Sequence, residues 1–106
     1  MVPEISASDA IALLDDADWL FVDIRDAASH AQLQIPGSRR LSQLDWDRFD
    51  AEVPRQRKLV VYCYHGHSSL NATAFLQQQG YTAVSLHGGF EYWRQACAQH
   101  CVPGDQ

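Results

Sequence analysis

The sequence is short of several things, and each shortage removes a class of function. It has no apolar run long enough to span a bilayer, and its opening "MVPEISASDA" contains neither a basic stretch nor the apolar core of a secretory leader. The expectation is a cytoplasmic protein with no membrane role. Cysteine is scarce: three residues, an odd number, in a chain that is 46% hydrophobic do not make a disulfide framework, since such a chain builds a core without staples. Positive charge is also short, with eight Lys and Arg against thirteen Asp and Glu, a formal net charge of −5. Nucleic acids and anionic membranes are recognised through clustered Lys and Arg, so neither is an expected partner. The adjacent basic pair Arg39 and Arg40 reads as a solvated turn. Repeats and low-complexity segments are absent, and 106 residues suit a single domain over residues 1–106.

What is present is an alternation of apolar runs and helical patterns. Ser6 is placed to cap a helix over "SASDAIALL", with Asp9 three residues on and Ala10, Leu13 and Leu14 on the apolar face. "WLFVDI" at 19–24, "KLVVYC" at 58–63 and "TAVSL" at 82–86 are short apolar runs of the kind found in strands buried on both faces, and "RRLS" is a shorter strand. Helices are expected over "RDAASHAQL", near "LDWDRFDA", from Ser68 to Gln79 with Gly80 as the stop, and over "GGFEYWRQACAQHC" before Pro103. Strict alternation implies right-handed crossovers, hence an α/β fold with a parallel sheet covered by helices on both faces. Sites in such sheets lie at the carboxyl ends of the strands, an edge that Cys63 and His87 would share.

Cys63 leaves a strand into the tight loop "CYHGHSS", which opens a helix. Backbone N–H groups and the positive end of the helix dipole stabilise a thiolate there. No Lys or Arg occurs between Cys63 and Ser69, so the amides have to do most of this, aided by the Ser68 and Ser69 hydroxyls or a protonated histidine. Gly66 lets the loop curl so that successive amides converge.

The loop "CYHGHSS", preceded by "VVY" and followed about twenty residues later by "GGFEYW", resembles the active-site and C-terminal motifs of the single-domain rhodaneses, the GlpE-type thiosulfate sulfurtransferases in particular. "VDIRD" and "IPGS" resemble supporting elements of the same family. The sequence departs from the family pattern at Leu33-Gln34, at His67, where Asn is common, and at His87, where an acidic residue often stands. The resemblance implies a three-layer sandwich with a central parallel sheet of about five strands. It implies a sulfurtransferase that moves the sulfane sulfur of thiosulfate to cyanide, a thiol or a thioredoxin-like dithiol through a persulfide on Cys63. Tyr64, His65, Gly66, His67, Ser68 and Ser69 would cradle the substrate, Asp23 and Arg25 would brace the loop, and no cofactor or metal is implied.

Other readings of the same residues stay open. A cysteine-dependent phosphatase needs an arginine six positions after its nucleophile, where this chain has Ser69. Cys63, His65, His67 and His87 form an acceptable zinc set, although Cys-x-His-x-His is not a usual structural spacing. A rhodanese-like sulfur carrier or docking module with little turnover would look the same in sequence. Phe90, Trp93, Cys97 and Cys101 fall on one helical stripe, so both later cysteines are expected to pack inward as small hydrophobes. Trp19, Trp46 and Trp93 are expected in or against the core.

Overall fold

A computed structural model describes residues 2–104. In chain order the elements are β1 (Glu4–Ile5), α1 (Ala7–Ile11), β2 (Trp19–Asp23), α2 (Ala27–Gln32), β3 (Arg39–Arg40), a 3-10 turn at Gln43–Asp45 running into α3 (Trp46–Glu52), β4 (Lys58–Tyr62), α4 (Ser68–Gln78), β5 (Ala83–Leu86), α5 (Gly89–Ala96) and a 3-10 turn at Ala98–His100. The strands form one five-stranded sheet in the order β1-β5-β4-β2-β3, with every neighbouring pair parallel.

The period-2 alternation of the strands sorts their side chains into two cores. Leu20 and Val22 of β2, Leu59 and Val61 of β4 and Ala83 of β5 join Phe49, Val53 and Leu76 from the α3–α4 side. Phe21, Val60, Tyr62 and Leu86 point the other way and meet Ala7, Ala10, Phe90 and Trp93 of α1 and α5. Helices therefore cover both faces, giving the three layers expected for apolar parallel strands. The α1 cap is as read from sequence, the Asp9 amide donating to Ser6 Oγ at 3.2 Å, and α2 is capped by Asp26, which accepts from the Ser29 amide at 2.7 Å.

Three details differ from the sequence reading. β1 was not expected: a two-residue edge strand is too short to show periodicity, and it is held by main-chain bonds from Ser85 to Pro3 and from His87 to Ile5. The short strand expected at "RRLS" is there as β3, so Arg39 and Arg40 are edge-strand residues and not a solvated turn, and their guanidinium groups pair with Glu52 and Asp45. The final helix stops at Ala96, well short of Pro103. Its continuation is overridden by tertiary contacts: Val102 exchanges main-chain bonds of 2.8 and 2.9 Å with Gln34, and Gly104 donates to Ala31 at 2.8 Å. Because of that break, Cys101 does not continue the Phe90–Trp93–Cys97 stripe; Cys97 is buried, whereas Cys101 is half-buried against the same cluster.

Trp93 anchors this region, edge-on to Phe21 at 5.9 Å with its indole N–H donating to the His100 carbonyl at 3.0 Å. Trp93→Ala is expected to lower the unfolding free energy by about 3–5 kcal/mol in urea titrations. A loss under about 1 kcal/mol would mean that the α5 face is not part of the cooperative core.

Candidate active site

β4 delivers Cys63 to the α4 side of the sheet. Leu59 and Val61 already face α4, and the next residue in that alternation is Cys63, just past the strand end. The loop then turns through Gly66, whose φ of +88° lies in the left-handed region that favours glycine, and enters α4 at Ser68.

The start of α4 has no side-chain cap: His67 occupies the cap position with helical dihedrals and caps nothing. One amide of the first turn finds the cysteine sulfur instead, and a loop amide joins it. Ser69 N–H donates to Cys63 Sγ at 3.3 Å and Gly66 N–H donates at 3.1 Å, while the Ser69 hydroxyl lies 3.3 Å from the same atom. Burial on its own pushes the thiol up. The Ser69 hydroxyl and the amides of Ser69, Gly66 and His65 outweigh burial and hold Cys63 below its ordinary value. For Cys97 burial alone pushes the thiol up; for Cys101 burial and the neighbouring Cys97 push it up, and the charges of Arg25 and Arg94 offset only part of this. Environment thus separates Cys63, whose thiol is held low, from Cys97 and Cys101, whose thiols are held high.

The second helix end at the site grips the loop from behind. Phe90 N–H donates to the Cys63 carbonyl at 2.8 Å and Glu91 N–H to the Tyr64 carbonyl at 2.9 Å, so the first-turn donors of α5 are satisfied by the loop. This approach requires the glycine pair. A Cβ on Gly89 would stand 2.5 Å from the Tyr64 carbonyl oxygen and 2.6 Å from the Gly66 nitrogen.

Sulfur is 6% accessible at the level of its residue, at the floor of a cavity of about 300 Å³ lined by Cys63, Tyr64, His65, His67 and Ser68. Tyr64, His65, His67 and Ser68 are exposed at its rim, whereas Gly66 and Ser69 are buried beneath it. Of the two serines expected to help the thiolate, Ser69 does so and Ser68 only lines the mouth. A larger hollow of about 760 Å³ by Ile24, Leu41, Trp46, Ala72 and Phe75, with Ser42, Gln43 and Asn71 at its polar side, carries no titratable side chain.

Asp23 and Arg25 form a buried ion pair at the end of β2. The guanidinium meets the carboxylate at 2.7 Å, donates to the Leu33 carbonyl at 2.6 Å and lies 4.1 Å over the Phe90 ring and 5.8 Å from the Tyr64 ring. His30 Nδ1 adds a contact of 2.8 Å to the same carboxylate. Burial raises the Asp23 carboxyl, but the hydrogen bonds from Arg25 and His30 win and leave it below its ordinary value. Arg25 therefore touches the loop through Tyr64 and α5 through Phe90, with its charge taken up by Asp23. His87 does follow β5 at the same sheet edge, but it does not join Cys63: its ring is 75% exposed and meets Glu4 at 3.2 Å. Among the described residues no three His, Cys, Asp or Glu side chains gather to hold a metal ion.

Sequence reasoning passed over Ser85. Its hydroxyl is buried and lies 2.8 Å from that of Ser69. The signal was available: Ser85 is the sole polar residue in a four-residue buried strand, and it pairs with Val61, two residues before Cys63.

The chain is similar to known proteins over most of its length. The family model for the rhodanese-like domain matches residues 6–96. The thiosulfate sulfurtransferase GlpE of Stutzerimonas stutzeri is 45% identical over 91 residues, covering 85% of this chain and 79% of that one. The thiosulfate sulfurtransferase GlpE of Pseudoalteromonas translucida is 38% identical over 96 residues, covering 90% and 91%. Among solved structures, reduced Bacillus anthracis CoADR-RHD superposes with a TM-score of 0.83 at 21% identity, over 95% of this chain and 18% of that longer one, a likeness of fold.

Two outcomes are expected. Gly89→Ala should displace the loop and slow alkylation of Cys63 at neutral pH by about tenfold or more while the protein stays folded, read by iodoacetamide labelling and circular dichroism. Asp23→Ala should cost about 3–5 kcal/mol in denaturant titrations, because it leaves the Arg25 charge buried and unpaired. Since the folded Asp23 value is depressed, the wild-type contribution is fully present above the ordinary 3.8 and is lost as pH falls through the lower folded value. The difference between wild type and variant should shrink over that acid range.

Proposed function

The chain belongs to the rhodanese-like domain family, and we propose that it acts, as a single domain, as a thiosulfate sulfurtransferase with Cys63 as the sulfur-carrying nucleophile. The observation that carries this reading is the Cys63 sulfur, held below its ordinary pKa by uncharged donors from Gly66 and Ser69 at the floor of an open cavity. The names of the GlpE relatives, at 38% and 45% identity, support thiosulfate as donor.

In the first half-reaction the Cys63 thiolate attacks the sulfane sulfur of thiosulfate. A sulfur–sulfur bond forms to Cys63, the bond to the sulfonate sulfur breaks, and sulfite leaves with that electron pair. The persulfide left on Cys63 keeps one negative charge, so charge is conserved and no proton moves. In the second half-reaction an acceptor nucleophile takes the terminal sulfur: cyanide gives thiocyanate, and a thiolate, either a small thiol or a thioredoxin-like dithiol, gives a new persulfide. The Cys63 thiolate is restored in both. Amides of the loop offset the charge through the cycle without reorganising, and Tyr64, His65, His67 and Ser68 shape the opening through which donor and acceptor arrive. Asp23 and Arg25 brace this loop from below through Tyr64 and Phe90.

Ser69 stands where a phosphatase would place its arginine clamp, and its hydroxyl is turned inward to the sulfur, which disfavours phosphoryl transfer. In the described residues no helix is long and apolar enough to cross a membrane, and the composition favours a cytoplasmic setting.

After incubation with thiosulfate, mass spectrometry should find one added sulfur atom located on Cys63. Cys63→Ser should abolish thiocyanate formation from thiosulfate and cyanide, whereas Cys97→Ala and Cys101→Ala should leave it near normal. Turnover surviving Cys63→Ser would overturn the assignment, and sulfur uptake without repeated turnover would identify a carrier rather than a catalyst. The rate of the first half-reaction should rise with pH through a thiol ionisation below the ordinary 9.0 and be lost as pH falls through it.

A further inference from the structure

We propose that Ser85 is a positioning residue that aims the Ser69 hydroxyl proton at the Cys63 sulfur through a buried relay of two hydroxyls. The inference rests on the reading of Cys63 as nucleophile and adds a residue from a different strand to its machinery. The two hydroxyl oxygens are 2.8 Å apart, Ser69 Oγ is 3.3 Å from Cys63 Sγ, and both serines have no accessible surface.

The direction of the relay follows from counting protons. A hydroxyl has one proton to donate. An ionised sulfur has none, so the Ser69–Cys63 contact is a hydrogen bond only when Ser69 donates to sulfur. The Ser69–Ser85 contact must then be donated by Ser85. When Cys63 is protonated, the thiol can donate to Ser69 and Ser69 to Ser85, and the whole relay reverses. Ionising the sulfur therefore sets the orientation of a hydroxyl on β5, and that orientation in turn strengthens the bond Ser69 makes to the anion, since linked hydrogen bonds polarise one another. Removing Ser85 leaves the Ser69 oxygen buried without its donor, so the bond Ser69 makes to the anion is no longer strengthened from behind.

Packing makes the arrangement specific. Ser85 pairs with Val61 in the sheet and shares the α4-facing side of β5 with Ala83, so its side chain reaches the first turn of α4 from below. Its own amide is bonded to the Pro3 carbonyl at 2.9 Å, which leaves the hydroxyl for Ser69. The titratable side chains sharing the cavity with Cys63 are Tyr64, His65 and His67 on its own loop. Charged groups on the packed elements are the Glu4–His87 pair beside Ser85 on β1 and β5, the Glu91–Arg94 pair of α5 and the Asp23–Arg25–His30 cluster beyond the end of β2. All of these are unchanged by substitution at Ser85, so a comparison of variants isolates the relay.

The test is the pH dependence of iodoacetamide labelling of Cys63, with Cys97→Ala and Cys101→Ala present throughout so that one thiol is counted. Ser85→Ala should raise the Cys63 pKa by about half a unit, a threefold or so loss of thiolate at pH below it, in a protein that circular dichroism shows still folded. Ser69→Ala should raise it further, and adding Ser85→Ala to Ser69→Ala should produce no additional shift, because the relay has already lost its middle member. A Ser85→Ala shift under about 0.1 unit, or a shift of equal size with Ser69 absent, overturns the proposal and leaves Ser85 a tie between β5 and α4. The titration uses neither thiosulfate nor turnover. If the sulfurtransferase reading fails, wild type gains no sulfur from thiosulfate while the labelling result still decides the relay.

Discussion

A helix that begins without a cap has to find an acceptor for its first amides, and here the acceptor is the Cys63 sulfur. His67 caps nothing, Ser69 N–H points at sulfur instead of at a side-chain oxygen, and Gly66 supplies a second donor from the loop. The demand is mutual. α4 is better satisfied when the sulfur is an anion, and the anion is better satisfied when α4 is formed. A fold-level feature, the start of a helix packed on a parallel sheet, is thereby linked to the ionisation of one atom without any charged side chain in the loop.

Everything behind the loop keeps that pairing in register. The first amides of α5 hold the Cys63 and Tyr64 carbonyls, and the absence of a side chain at Gly89 is what lets them come so close. On the other side the Asp23–Arg25 pair fixes the end of β2 against Phe90, so the two strand ends that flank the loop and the helix that grips it share one buried guanidinium. A buried ion pair is weak evidence for net stability. Its contribution here is geometric, since it connects elements that are distant in sequence.

The layers of this fold were legible because apolar parallel strands leave an unambiguous trace: "WLFVDI", "KLVVYC" and "TAVSL" gave β2, β4 and β5 to within a residue or so at each end. The place of Cys63 was legible for a related reason, since it is the residue that leaves the clearest strand. What escaped depended on tertiary contacts with no local signature. β1 exists only because β5 offers it an edge, and the helix break at Cys97 reflects Val102 pairing with Gln34 rather than any breaker in "QACAQHC". His87 illustrates the same limit: its position in the chain was right for the site, but a side chain's direction is set by neighbours such as Glu4. Ser85 was overlooked because the relevant comparison runs across paired strands, from Val61 to Ser85, and not along either one.

The depth at which Cys63 sits has a further consequence. Its sulfur is enclosed by Gly66 and Ser69 and backed by the sheet, so a second sulfur bonded to it has only the direction of the rim of Tyr64, His65 and His67 in which to extend. The anchor atom is thus shielded while the passenger atom projects to where another molecule can collect it. On the proposed reading, a visiting nucleophile would meet the outermost sulfur first through the cavity of Tyr64, His65, His67 and Ser68, so the geometry itself would discourage attack at the wrong sulfur.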